Sequence, residues 1–193
     1  MDASLTLACG LAVEERVARK SGARAARVGL GATLALPEGR LISFGFAGAL
    51  DPRLQPGMLI TATKVVDTSG KTLWEGQPLQ VDGAQPVVIC AARDVVDGPS
   101  YRDHLATTTG ADALDMESGA LAASGRLAGV LRAISDSRDQ PLGPLAFAAN
   151  LDGSTRWTVV ARAFLFHPVT SLRTALSARR ALGRLSRAAE ALR

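Results

Sequence analysis

An α/β fold is what this chain predicts, and three observations carry the prediction. Apolar runs of strand length recur along it, at Leu5–Cys9, Leu41–Ala49, Met58–Val66, Val87–Ala91 and Val130–Asp136. Helix-like segments separate them, one opened by Glu14-Glu15 and another at Tyr101–Thr109, and such alternation describes a sheet covered by helices. The third observation is composition. At 193 residues, with 47% hydrophobic and 21% charged side chains, the chain suits one domain with a real core. Aromatics make up only 4%, so Ala, Gly and Leu must fill that core by close approach of helices and strands.

In chain order, Leu5–Cys9 ends at Gly10 as a buried first strand, and Gly22 stops the helix that runs from Glu14 through Lys20. Ala26–Gly31 reads equally as a second strand or a loop. Leu41–Leu50 is a strand entering a glycine turn, and Asp51-Pro52 and Gln55-Pro56-Gly57 punctuate the chain before the strand at Met58–Val66. No internal repeat is visible.

Several function classes are disfavoured. No run reaches the length of a membrane span, and the N-terminal residues lack the basic region of a signal peptide. Cys9 and Cys90 sit in apolar segments and read as small core residues, which fits a reducing cytoplasm. His104 and His167 are far apart without ligand-spaced cysteines, so no metal is expected. Neither a dinucleotide nor a P-loop glycine pattern is present, nor a Gly-x-Ser-x-Gly elbow.

The informative stretch is Asp112–Asp139. Glu117 stands at the start of a small-residue helix, Ser118–Ser124, and Asp136 closes a buried strand. Ligands in open α/β sheets collect at the carboxyl ends of strands, so the two carboxylates are candidates for one pocket. Each also has a plainer reading, a helix-dipole glutamate and a turn or N-cap aspartate. The Gly45-Phe46-Ala47-Gly48 turn either lets a ligand approach the backbone or simply packs closely.

Three segments together resemble the purine nucleoside phosphorylase and nucleosidase superfamily. They are Ile42–Pro52 with Leu54 and Pro56-Gly57, then Asp115-Met116-Glu117-Ser118, then Arg132-Ala133-Ile134-Ser135-Asp136, in the order that family has them. Leu151-Asp152-Gly153, Trp157–Phe166, His167-Pro168 and the Arg/Ala/Leu helix after it are most similar to the hopanoid-associated phosphorylases.

The resemblance implies a single-domain, three-layer fold, a central mixed sheet flanked by helices, that cleaves a purine N-glycosidic bond. It gives Asp136, with Ser135 beside it, to the base, as the acid that protonates N7 from a desolvated site. Glu117 and Met116 go to the ribose, and Glu14, with Glu15 as the alternative, to the attacking water. The Gly45, Phe46, Ala47 and Gly48 turn lies along the ribose and nucleophile side, and Val96 takes the position that stacks on the purine. The substrate implied is adenine on a hopanoid lipid. A general purine phosphorylase or methylthioadenosine-type nucleosidase, and a nucleoside-binding protein without catalysis, are the competing readings. No cofactor is implied, phosphate being the alternative co-substrate to water, and a homo-oligomer is the family habit.

The catalytic domain then covers residues 1–169 and a basic helix residues 170–193. Between Arg156 and Arg193 there are eight arginines against one acid, Glu190, while the rest of the chain is slightly acidic. Leu172, Leu176, Leu182, Leu185 and Leu192 recur at mostly helical spacing. The helix either packs on the domain or lies on a membrane surface with Leu inward and Arg toward anionic headgroups. Nucleic-acid binding lacks the interleaved aromatics it needs.

Overall fold

The computed structural model describes residues 5–96, 98–137 and 140–192; Met1–Ser4 and Arg193 of the basic tail lie outside them. Eight strands form one mixed sheet: β1 (Leu5–Cys9), β2 (Ala25–Arg27), β3 (Arg40–Ala49), β4 (Leu59–Asp67), β5 (Thr72–Glu75), β6 (Ala84–Ala91), β7 (Ala113–Asp115) and β8 (Leu127–Asp136). Five helices accompany them: α1 (Ala12–Lys20), α2 (Pro99–Thr109), α3 (Ser118–Ala123), α4 (Trp157–Phe166) and α5 (Pro168–Glu190). Ala26–Gly31 resolves into the end of β2 and a 3-10 turn at Leu30–Ala32.

Strand β3 is the hub. Its first half pairs with β1 on one side and its last residues with β7 on that same side, while β8 runs parallel along the other. Strand β8 also pairs antiparallel with β4, β4 pairs with β6, and β6 with β7. The ladder β3-β8-β4-β6-β7 therefore closes on itself, which leaves that part of the sheet without an open edge. Strands β1, β2 and β5 extend it outward.

Period-two alternation sorts the buried residues into two layers. Leu7, Cys9, Ile42, Phe44, Leu131 and Ala133 face Ala18 of α1 and Ala181, Leu185, Ala188 and Ala189 of α5. Ala8, Leu41, Ala47, Val130 and Ile134 face the other way, with Leu121 of α3. Arg132 falls in the same register as Val130 and Ile134, so a charged side chain is buried in the α3-side layer. A third cluster, with Leu105 of α2, Val96 and Leu114, packs beside the end of β7.

The C-terminal half of α5 is thus part of the core, with Leu185 fully buried. Its exposed leucines, Leu172 and Leu176, lie in the first half. The leucine spacing of 170–193 therefore serves two different surfaces, and Ala181, Leu185, Ala188 and Ala189 face the core.

Candidate active site

A cavity of about 370 Å³ opens at the carboxyl ends of β1, β3, β7 and β8. That is enough for a nucleoside, since small-molecule sites span roughly 300–1,000 Å³. Glu14, Phe46, Ala47, Gly48, Val96, Met116, Glu117, Ser135 and Asp136 all line it. Two of the residues named from sequence do not. Glu15 is one helical step, about 100°, round from Glu14, and it turns outward to pair with Arg19 at 2.8 Å. Gly45 lies behind Glu14, where an added Cβ would stand 2.3 Å from Glu14 Oε1, so only glycine lets that carboxyl sit against β3.

Glu14 belongs to the first turn of α1 and is 2% exposed. Its Oε2 accepts from the Leu11 N–H at 2.8 Å and its Oε1 from the Phe46 N–H at 2.8 Å. Burial pushes its pKa from 4.5 up to about 7; the nearby Glu117 adds to this, while Arg132 and the two backbone donors oppose it.

Glu117 directly precedes α3. Its Oε1 accepts from the Gly31 N–H at 3.2 Å and its Oε2 from Arg132 Nη2 at 3.0 Å. Burial raises its pKa against the pull of Arg132, and the neighbouring Asp115 raises it further. Arg132 Nη2 also meets Asp115 Oδ2 at 2.6 Å and Ser43 Oγ at 2.6 Å, and its Nη1 donates to the Phe46 carbonyl at 3.3 Å. Burial alone would lower the Arg132 pKa, but Asp115, Glu117 and Glu14 outweigh it, so this guanidinium stays charged. One cation therefore pairs with two carboxylates, on β7 and just before α3, and its charge also acts on a third, Glu14 of α1.

Asp136 ends β8 opposite Gly48 of β3 and is buried. The desolvated acid expected there is desolvated but not alone. Arg102 Nη2 forms an ion pair with Asp136 Oδ2, and the Ser135 hydroxyl donates to Asp136 Oδ1. Arg102, from α2, also donates to the Val96 carbonyl at 2.8 Å and the Ala49 carbonyl at 3.2 Å, tying the loop at Val96 to β3. A carboxylate taken out of water needs such compensation to persist. Gly48 makes room for the pair, since a Cβ there would approach Asp136 Oδ2 to 3.1 Å.

The outer part of the cavity is apolar. Leu142, Leu145 and Ala146 precede α4, which adds Val160 and Phe164, and α5 adds Ala175 and Ala178. The loop before α4 is pinned across the site, with the Ala12 N–H donating to the Gly153 carbonyl at 2.9 Å and the Leu30 N–H to the Leu151 carbonyl at 2.8 Å.

Arg102, Asp115, Arg132 and Ser43 are site or supporting residues that sequence reading did not select. Arg132 carried a usable signal, because a charge inside the run Val130–Ile134 must have buried partners. Arg102 carried none.

A closed mixed sheet with helices on its faces is a fold that this chain shares with solved nucleosidase structures. The likeness is one of fold. Helicobacter pylori 5′-methylthioadenosine/S-adenosylhomocysteine nucleosidase, in complex with an aminopyrrolopyrimidine compound, matches with TM-score 0.62 at 14% identity over 99% of this chain and 96% of that one. Futalosine hydrolase of H. pylori matches with TM-score 0.59 at 16% identity, over 93% of this chain and 98% of its own. The corresponding methylthioadenosine nucleosidase of Colwellia psychrerythraea, in complex with adenine, gives 0.60 at 12% identity over 96% of both chains. No family model matches the chain, and no curated protein sequence does.

Proposed function

We propose that this chain hydrolyses the N-glycosidic bond of a purine nucleoside, releasing adenine, and that its own substrate is an adenosylated hopanoid lipid. The observation that carries the reading is the convergence of Glu14, Glu117 and Asp136, from three separate elements, on one cavity. The named activities of the fold neighbours support it: nucleosidases of methylthioadenosine and S-adenosylhomocysteine, and a futalosine hydrolase. The apolar outer cavity supports a substrate whose 5′ substituent is hydrocarbon.

In this reading the base lies toward Asp136, Ser135 and Val96, and the ribose toward Met116 and Glu117. Asp136 gives a proton to purine N7 as the C1′–N9 bond breaks. It leaves as the carboxylate that Arg102 pairs with, so the guanidinium stabilises the state after transfer. Glu117, fixed by Arg132, holds the sugar hydroxyls and offsets the oxocarbenium charge. Glu14, with its pKa near 7, takes the proton from water as the new C1′–O bond forms, which is the value a general base needs near neutrality.

Water rather than phosphate is the nucleophile in this reading. Among the described residues, Arg102 is the one cation lining the cavity, and Asp136 engages it. The Arg132 Nη2 donors are likewise taken up by Asp115, Glu117 and Ser43. Chromatography of adenine released from adenosine, methylthioadenosine and a 5′-alkyl adenosine lipid, with and without phosphate, tests this. Release without phosphate, best from the lipid, is the expected result. No base from any nucleoside would end the nucleosidase reading, and strict phosphate dependence would replace hydrolysis by phosphorolysis.

A further inference from the structure

Helix α4 is apolar except for Thr158 and Arg162, yet Ala163 is its one fully buried residue. Trp157, Leu165 and Phe166 are 74%, 73% and 66% exposed, and Val169 and Leu172 at the start of α5 are 71% and 54% exposed. Of the eight aromatic residues in the chain, Trp157, Phe164 and Phe166 fall on this one helix, and all three are exposed. Soluble proteins rarely leave a contiguous apolar patch of this kind uncovered unless it meets a partner or a membrane.

Charge decides between covers. From residue 153 to 189 the chain has seven arginines and no acidic residue. Arg156, Arg162, Arg173, Arg179 and Arg180 are exposed around the patch. A second copy docked face to face would set these arginines against their own counterparts, with no carboxylate in either strip to answer them. An anionic bilayer supplies both an apolar interior and the opposite charge. No helix among the described residues is long and apolar enough to cross a membrane, so contact would be at the surface.

The patch is also continuous with the cavity. Phe164 is exposed on α4 and lines the cavity from there, and Ala175 and Ala178 line it from α5. We propose that α4 and the first turns of α5 seat the protein on an anionic lipid surface. Trp157, Leu165, Phe166, Val169 and Leu172 enter the acyl boundary and the flanking arginines meet lipid phosphates. The cavity mouth then opens toward the bilayer, where an amphiphilic substrate could enter without crossing water. Docking stands on exposure and charge alone; substrate entry from the bilayer rests on the nucleosidase reading.

Vesicle co-sedimentation of the full chain tests the proposal, using phosphatidylcholine vesicles with and without phosphatidylglycerol. The patch variant is W157Q/L165Q/V169Q, three residues outside the cavity lining, and L73Q on β5 is the control for loss of an exposed leucine elsewhere. Wild type and L73Q should bind anionic vesicles at least tenfold more tightly than neutral ones, and the patch variant at least tenfold more weakly than wild type. The patch variant should keep its circular dichroism spectrum and its turnover of a soluble nucleoside. Wild-type protein that stays in the supernatant, or a patch variant that pellets equally, would overturn docking. So would a wild-type dimer that the patch variant converts to monomer, because a second copy would then be the cover. Turnover of the soluble nucleoside is read separately, so failed docking and failed catalysis remain distinct results.

Discussion

Replacing Glu14 by Gln should remove a specific piece of the pH dependence of stability. The folded chain holds the Glu14 proton up to about pH 7, against an ordinary value of 4.5, because the carboxyl is buried. At about 1.4 kcal/mol per pH unit, that span is worth about 3 kcal/mol. A raised carboxyl pKa means the native state binds the proton more tightly than the unfolded chain does. The stability it lends is therefore complete below about pH 4.5 and lost as pH rises through about 7. In E14Q nothing titrates at this position, and the single amide oxygen can accept from only one of the Leu11 and Phe46 N–H groups. The unmet donor costs about 1–3 kcal/mol at every pH. Urea unfolding of both proteins at half-unit steps from pH 4.5 to 8 should show the wild-type advantage shrinking by about 3 kcal/mol across that range. Burial also raises the Glu117 pKa, and Glu117 in turn raises that of Glu14, so the difference between the two curves, not either curve alone, reports Glu14. A difference that stays constant within about 0.5 kcal/mol would refute the burial argument.

Two further variants address the other charged centres. D136N keeps an oxygen to accept from Arg102 but has no acidic proton; turnover should fall by about 10²–10⁴-fold, with adenine affinity by calorimetry changed less than tenfold. Near-normal turnover would remove Asp136 from the mechanism. R132M leaves Asp115 and Glu117 buried without their counter-charge, and should cost about 3–5 kcal/mol in urea unfolding. Adding D115N and E117Q to R132M should recover part of that loss; a loss below about 1 kcal/mol for R132M alone would show that the ion cluster is not what orders the site.

The long elements were legible because they repeat a pattern. Strands β1, β3, β4, β6 and β8 are apolar runs, and α1 and α2 carry their own start signals. Strands β5 and β7, with four and three residues, are too short for period two to register. Helix α4 defeats burial-based reading in another way, since Trp157, Leu165 and Phe166 face outward.

For the candidate site, the residue types could be named but not their rotation or company. Glu14 and Glu15 are chemically alike in sequence, and the 100° helical step sends one into the cavity and the other to Arg19. Arg102 and Asp136 are 34 positions apart on α2 and β8, and nothing local to either announces the pair.

By itself the sequence determined the fold class, most strands and two of the three candidate acids, Glu117 and Asp136, with Glu14 and Glu15 as alternatives for the third, because these follow from short-range apolar periodicity and from motifs contiguous in the chain. Only the tertiary structure decided that the ladder closes, that one buried guanidinium pairs with both Asp115 and Glu117, and that the basic tail is half core and half open surface. Those outcomes depend on which distant residues share a face and a dielectric, and no local pattern encodes that.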